Sequence, residues 1–118
     1  MRWEVNYFKD ADGSYPVKDF LDAIDASASA KFFRCFGLLE EYGIQVREPY
    51  VKSLTGHSKL KEIRVKAAPN IYRIIYFIYS GRQIILLHGF VKKTQKTHPR
   101  DIDLAEKRMK RFLNEGGK

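Results

Sequence analysis

The fold is decided by the stretch IYRIIYFIY, residues 71–79, in which every residue except Arg73 is apolar or aromatic. A run of this kind is typical of a strand that is covered on both faces in the middle of a sheet. The preceding stretch LKEIRV, residues 60–65, has the pattern of a second strand. The connection SGRQ, residues 80–83, leads into a third apolar strand at 84–91. These three strands predict a twisted antiparallel sheet.

The segment before these strands predicts a further strand and a helical hairpin. The alternation in WEVNYF, residues 3–8, indicates a first strand. Pro16 suits the first position of a helix that we expect to run to about Asp25, because its missing N–H costs nothing there. A second helix, capped by Ser27 or Ser29, carries a broad apolar stripe as far as Tyr42 and is expected to end at Gly43. The two helices should pack on the sheet as a hairpin.

The rest of the chain predicts one connection and one helix. Residues 44–56 are expected to be mostly irregular, and Pro99 introduces a last helix from about Asp101 to Phe112. Only residues 114–118 are expected to form a loose tail. The length suits one domain. We therefore expect a single small α+β domain over residues 1–118, with the order β-α-α-β-β-β-α.

Positive charge is concentrated in one part of the chain. The formal net charge is +8, yet residues 57–100 alone carry +9, because this segment contains ten Lys and Arg residues and a single acid, Glu62. The remainder is therefore close to −1. Localised charge of this sign favours a polyanionic partner over general solubility, although a solvated basic surface is the alternative.

Several classes of protein are disfavoured. No stretch approaches the roughly 20 apolar residues of a membrane span, and residues 1–5 lack the pattern of a secretory signal. Cys35 is the single cysteine and is expected to be a small buried hydrophobe in a cytoplasmic protein. The three histidines, His57, His88 and His98, lack ligand-like spacing, so we expect no metal and no cofactor.

Arg73 breaks the apolar pattern of its strand, where an unpaired guanidinium would be costly to bury. Either it pairs with a carboxylate such as Glu62, or its head opens into a groove that takes an anion. By two-residue alternation, Glu62 and Arg64 share one face of their strand. If the strands form a meander, Arg64, Arg73 and the lysines after the last strand converge on one concave face. Such a set could hold a phosphate and stabilise the charge that develops on it. The lysines are Lys92, Lys93 and Lys96.

Aromatic residues near these cations suggest RNA as the polyanion. Tyr72 and Tyr76 could stack on bases of single-stranded RNA, although core packing is the alternative for them. RNA can be cleaved without a metal when its own 2′-hydroxyl is the nucleophile, which requires only orientation, charge stabilisation and proton transfer. The candidate residues for binding RNA or phosphate are Lys59, Lys61, Lys92, Lys96, Tyr72, Tyr76 and His88.

Three stretches carry a resemblance to a known family: LKEIRV at 60–65, IYRIIYF at 71–77 and LLHGFVKKTQKT at 86–97. Together they resemble the HigB-like branch of the RelE/ParE toxin superfamily, and also phage-derived host-inhibition proteins. The resemblance implies a microbial RNase fold, a twisted antiparallel sheet with helices on one face. It also implies cleavage of translated messenger RNA in the ribosomal A site. The implied partner is an antitoxin, often with a helix-turn-helix domain through which the complex binds operator DNA.

The resemblance also implies roles for individual residues. By position, Arg73 would stabilise the scissile phosphate and Arg64 would bind phosphate. Lys93, with Lys92 beside it, would protonate the leaving group. Where some relatives carry a lysine that acts as base, this chain has Glu62, which is either a base itself or the structural partner of an arginine.

The C-terminal tyrosine that stacks on a base in some relatives is absent, so Tyr72, Tyr76 or His88 would take its place, or the ribosome positions the RNA. Two other functions use the same scaffold. One is a ParE-like inhibitor of DNA gyrase, which is not an enzyme. The other is a catalytically silent nucleic-acid-binding protein. The cluster of arginines and lysines favours the nuclease, because a gyrase inhibitor has no need of phosphate-binding cations.

Overall fold

The computed structural model describes residues 2–47, 50–54, 56–92 and 96–116. Within them the order of elements is β-α-α-β-β-β-β-α, with a short 3-10 turn after the second helix. The strands are β1 (Glu4–Tyr7), β2 (Val51–Leu54), β3 (His57–Ala67), β4 (Asn70–Tyr79) and β5 (Gln83–Lys92). The helices are α1 (Pro16–Ala23), α2 (Ala26–Tyr42) and α3 (Pro99–Asn114).

The five strands form one sheet in the order β1-β5-β4-β3-β2. Neighbours from β2 to β5 are antiparallel, and β1 pairs with β5 in parallel, Val5 lying opposite Ile84. The predicted α+β class and the central position of β4 are confirmed. The sheet differs from the prediction in two respects, since β1 makes it mixed and β2 lies in a segment that was expected to be irregular.

Helices α1 and α2 cover one face of the sheet, which we call the hairpin face. Their apolar residues pack against residues of β4 that alternate along the strand, Tyr72, Ile74 and Tyr76. Pro16 stands at the start of α1, as predicted. Gly43 ends α2 with φ +55, and a Cβ atom there would lie 2.0 Å from the indole of Trp3, so both the turn and the close approach require glycine.

The opposite face, which we call the α3 face, is covered by the last helix. The resemblance implied helices on one face only, and this expectation is wrong, because α3 packs on the side away from the hairpin. It does so with a second apolar cluster, in which Ala105 and Phe112 meet Ile75, Phe77 and the next strand's residues. The helix begins at Pro99, slightly earlier than predicted, and the side chain of His98 caps it by accepting a hydrogen bond from the Arg100 N–H.

The first two residues of the predicted loose tail, Asn114 and Glu115, are more ordered than predicted. Asn114 is the last residue of α3, and Arg111 donates a hydrogen bond to the carboxylate of Glu115 at 3.0 Å. Residues 117–118 of the predicted loose tail lie outside the described residues. In the described parts of the chain, no helix is both long enough and apolar enough to cross a membrane.

Candidate phosphate-binding site

A pocket of about 390 Å³ opens on the α3 face, between the β2 end of the sheet and the start of α3. It holds four cationic side chains and one carboxylate. Its lining residues are Lys52, Ser53, Leu54, Glu62, Arg73, Lys92, Lys96, Thr97 and Ile102. We call it the cationic pocket.

The pairing of the strands explains why these residues meet. Arg64 lies directly opposite Arg73, and Lys52 lies directly opposite Glu62. Side chains that are opposite each other share a face, and so do residues two apart along a strand. Lys92 is opposite Ile71, two residues before Arg73, and therefore points to the same face. The convergence of Arg64, Arg73 and the first lysine of the cluster on one face agrees with the geometry expected from the sequence.

Arg73 and Glu62 form a buried ion pair at the floor of the pocket. Glu62 is fully buried and Arg73 is only 4% exposed. Nη1 of Arg73 donates a hydrogen bond to Oε1 of Glu62, and the Thr97 hydroxyl donates to Oε2 at 2.6 Å. The sequence left open whether Arg73 pairs with a carboxylate, and the structure shows that it does.

The pair does not use every donor of the guanidinium. Nε of Arg73 is buried and has no hydrogen-bond partner among the described residues. An unsatisfied buried donor costs about 1–3 kcal/mol, which a ligand oxygen can recover. The guanidinium is therefore held by Glu62 through Nη1, while its buried Nε–H keeps one hydrogen bond unmade.

Lys92 is the second buried cation of the pocket, with 8% of its surface exposed. Burial, followed by the charge of Arg73, lowers the pKa of Lys92 to about 8, although Glu62 opposes the shift. Lys52 and Arg64 lower the same pKa further. An amine that titrates this close to neutral pH can transfer a proton, whereas an ordinary lysine releases its proton reluctantly.

His88 also lies on the α3 face but does not line the cationic pocket. Its Nε2 is 2.8 Å from a carboxylate oxygen of Asp101, and its ring stacks on Phe90 with centroids 5.2 Å apart. Burial lowers the pKa of His88, and the hydrogen bond with Asp101 acts in the opposite direction. In this position His88 ties β5 to the first turn of α3.

Tyr72 and Tyr76 were predicted to stack on RNA bases, and this prediction is wrong for both. They are 6% and 1% exposed, and they pack under the helical hairpin on the face opposite the pocket. Burial also raises the pKa of Tyr76, as expected for a phenol held in the core. Core packing, the alternative considered for them, is their role.

The remaining predicted residues lie at different distances from the site. Lys61 lies opposite Tyr76 and so belongs to the hairpin side of β3, where its amine is 3.4 Å from the Ser53 hydroxyl. Lys59 is exposed at the start of the same strand. Neither lines the cationic pocket, so a role for them in binding RNA or phosphate would lie outside it and stays a prediction. Arg64 is half-buried beside the pocket without lining it. Lys93 lies outside the described residues.

Sequence reasoning missed three polar residues of the pocket. Lys52 and Ser53 belong to β2, whose sequence VKSL is too short and too irregular in alternation to indicate a strand. Thr97 precedes the proline of α3 and carries no pattern of its own. The charge of Lys52 is the one signal that the sequence offers, and Lys52 lies outside the basic segment 57–100. Among the described residues, no group of three or more His, Cys, Asp or Glu side chains could hold a metal ion.

The fold and the site define a small basic α+β protein with a cationic pocket on its sheet. Residues 19–110 match the family described as phage derived protein Gp49-like (DUF891). The chain therefore belongs to the Gp49-like family, which is associated with toxin–antitoxin systems and is related to RelE- and HigB-like toxins. The comparison with curated proteins gives no match.

Proposed function

We propose that the protein is the toxin of a toxin–antitoxin pair and that it cleaves messenger RNA on the ribosome. The observation that carries the proposal is the cationic pocket, in which Arg73 and Lys92 are buried beside a single carboxylate. A gyrase inhibitor has no need of buried phosphate-binding cations. Membership of a family associated with toxins supports the same proposal.

In the proposed reaction the scissile phosphate enters the pocket and accepts a hydrogen bond from Arg73. The adjacent 2′-oxygen forms a bond to phosphorus, and its proton passes to water. The bond between phosphorus and the 5′-oxygen breaks, and the 5′-oxygen takes a proton from Lys92, whose lowered pKa suits it to this transfer. The products are a 2′,3′-cyclic phosphate and a free 5′-hydroxyl, and no metal takes part.

We assign Glu62 to holding Arg73 and not to acting as the base. Its two carboxylate oxygens already accept hydrogen bonds from Arg73 and Thr97, and none of its surface is exposed to a substrate. The exposed Lys52 and Lys96 lie at the rim of the pocket and, together with Arg73, stabilise the negative charge on the phosphate.

The proposal includes the partners that such a toxin requires. The ribosomal A site presents the RNA, and a cognate antitoxin with a helix-turn-helix domain covers the cationic pocket or displaces an element near it. Operator DNA is bound only through the antitoxin complex. These roles place the protein in the cytoplasm.

The proposal is tested by primer extension on cellular messenger RNAs after brief induction. The wild-type protein should create new 5′ ends within translated frames. Lys92→Ala should reduce their yield by roughly a hundredfold, because general acid catalysis typically contributes that much. Lys18→Ala, which removes an exposed lysine of α1 on the other face, should cleave like the wild type.

Two controls make the outcome decisive. Thermal melting of each variant separates lost catalysis from lost folding. Growth arrest with intact messenger RNA after induction of the wild type would contradict the proposal and would favour inhibition of gyrase, which a supercoiling assay then measures directly.

A further inference from the structure

A chain of hydrogen bonds links the start of α3 to the floor of the cationic pocket. Thr97, two residues before Pro99, donates its hydroxyl proton to Oε2 of Glu62 at 2.6 Å. The other oxygen, Oε1, accepts from Nη1 of Arg73. Both members of the ion pair are more than nine-tenths buried, so these bonds are made away from bulk water.

The two bonds to Glu62 act on different oxygens, and this difference fixes its carboxylate plane. A carboxylate held only through Oε1 can rotate about its last side-chain bond, whereas one held through both oxygens cannot. The guanidinium of Arg73 is planar and rigid, so fixing its Nη1 also fixes the direction of its Nε–H. Thr97 therefore acts on Arg73 through Glu62, without touching it.

In this arrangement Arg73 supplies a hydrogen-bond donor of fixed direction, and other residues supply the positive charge of the pocket. Glu62 neutralises Arg73 within the pair, so the excess positive charge of the pocket comes from its three lysines, Lys52, Lys92 and Lys96. What Arg73 retains is the buried Nε–H, which has no partner among the described residues. A single fixed donor within a positive pocket suits an oxyanion whose position must be exact, such as a phosphoryl group about to react.

We propose that Thr97 and Glu62 are positioning residues, which hold the Nε–H of Arg73 in place to bind an oxygen of the scissile phosphate. The inference deepens the proposed function and rests on its phosphate site. It adds Thr97, a residue at the entrance to α3, to the set that sets the rate of the reaction.

The test observes the Arg73 Nε–H by nitrogen–proton correlation NMR while inorganic phosphate is titrated into the whole protein. In the wild type this signal should shift as phosphate binds. Thr97→Val keeps the shape of the side chain and removes the hydroxyl, and phosphate should then bind about fivefold more weakly, with a broadened Nε–H signal. Thr97→Ser restores the hydroxyl and should return the affinity to within about twofold of the wild type.

Ser29→Ala is the matched control, because it removes a hydroxyl that donates to the Leu21 carbonyl at 2.6 Å, far from the pocket. It should leave the affinity for phosphate and the Arg73 signal unchanged. If Thr97→Val does not fold, Thr97→Ala replaces it, since the smaller side chain imposes no branched methyl on the site.

Two results would overturn the inference. One is a wild-type Nε–H signal that does not respond to phosphate, and the other is a Thr97→Val variant that binds phosphate as the wild type does. Cleavage kinetics separate a failure of the positioning role from a failure of the proposed RNA cleavage. If both hold, Thr97→Val should lower kcat more than it raises KM. Intact messenger RNA with a phosphate affinity that still depends on Thr97 would refute RNA cleavage and leave the positioning role standing.

Discussion

The two faces of β4 have opposite characters. On the hairpin face, Tyr72, Ile74 and Tyr76 alternate in a dry core under α1 and α2. On the α3 face, Ile75 and Phe77 are equally apolar, but Arg73 replaces the next hydrophobe and pairs with Glu62. One face is therefore optimised for packing throughout, whereas the other gives up packing at one end for a buried charge. A hydrophobic pair of similar volume at these two positions would be about as stable, so packing alone does not explain the ion pair.

The largest effect should come from removing Arg73. Arg73→Ala leaves the fully buried Glu62 without its partner, and we expect a loss of about 3–5 kcal/mol in the free energy of unfolding. The double variant Glu62→Leu/Arg73→Met replaces the pair by hydrophobes and should recover most of that stability while remaining unable to cleave RNA. Urea denaturation and primer extension measure the two properties separately.

If the loss of stability in Arg73→Ala is not observed, the contrast between the two faces of β4 does not hold. An Arg73→Ala variant as stable as the wild type would mean that Glu62 finds another partner or water, and the α3 face would not contain a dry ion pair. A double variant that still cleaves messenger RNA would remove Arg73 from the mechanism altogether.

A smaller effect is expected on the hairpin face, where Gly89 of β5 lies under Phe20. A Cβ atom at position 89 would be 2.3 Å from the ring of Phe20, so Gly89→Ala should cost about 1–3 kcal/mol through overpacking. Adding Phe20→Leu should recover part of the loss. Gly37→Ala is the matched control, since an added methyl in the middle of α2 meets no atom within 4 Å and should stabilise the helix by about 0.5–1 kcal/mol.

Substitutions on the hairpin face should change the stability of the protein without changing its RNA cleavage. Cleavage by Gly89→Ala, expressed per folded molecule, should equal that of the wild type, because Gly89 and Phe20 are on the face away from the pocket. Thermal melting and primer extension on the same preparations decide this. A specific loss of cleavage in a variant that is fully folded would show that the two faces are coupled.

The sequence predicted the elements whose periodicity is strong. β4 and β5 are long apolar runs, α1 begins at the proline that was predicted as its first residue, and α3 begins at Pro99, two residues before the predicted start at about Asp101. β2 was not predicted, because a strand of four residues is too short to show a clear alternation and its pairing with β3 contains a bulge. The parallel pairing of β1 with β5 depends on how the hairpin crosses the sheet, which local pattern does not encode.

The site was predicted in part, and one error was avoidable. Alternation along β4 already places Tyr72 and Tyr76 on the face opposite Arg73, so the tyrosines and the guanidinium could not have shared a pocket. The pairing of Arg73 with Glu62 was one of two open alternatives, because the register of β3 and β4 depends on a turn of two residues. Thr97 could not have been found, since its contact with Glu62 spans 35 residues of sequence.

The smallest effect concerns the charge of Lys92 and appears only as pH changes. In the folded protein its pKa is lowered to about 8 from 10.5, chiefly by burial, so below pH 8 folding must hold a charged amine in a poorly hydrated site. Between these two values the unfolded chain binds more protons than the folded chain, and raising the pH therefore stabilises the wild type. Lys92→Met lacks this penalty and should be more stable than the wild type at neutral pH by on the order of 1 kcal/mol.

The difference in Tm between Lys92→Met and the wild type should shrink as the pH rises through this window, because the folded wild type loses the proton that its unfolded chain still holds. Lys18→Met, at an exposed position on α1, should show no such change and corrects for other groups that titrate at high pH. A difference that stays constant with pH would mean that Lys92 keeps an ordinary pKa. It could not then serve as the proton donor near neutral pH, and the α3 face would hold phosphate without a group suited to release the 5′-oxygen.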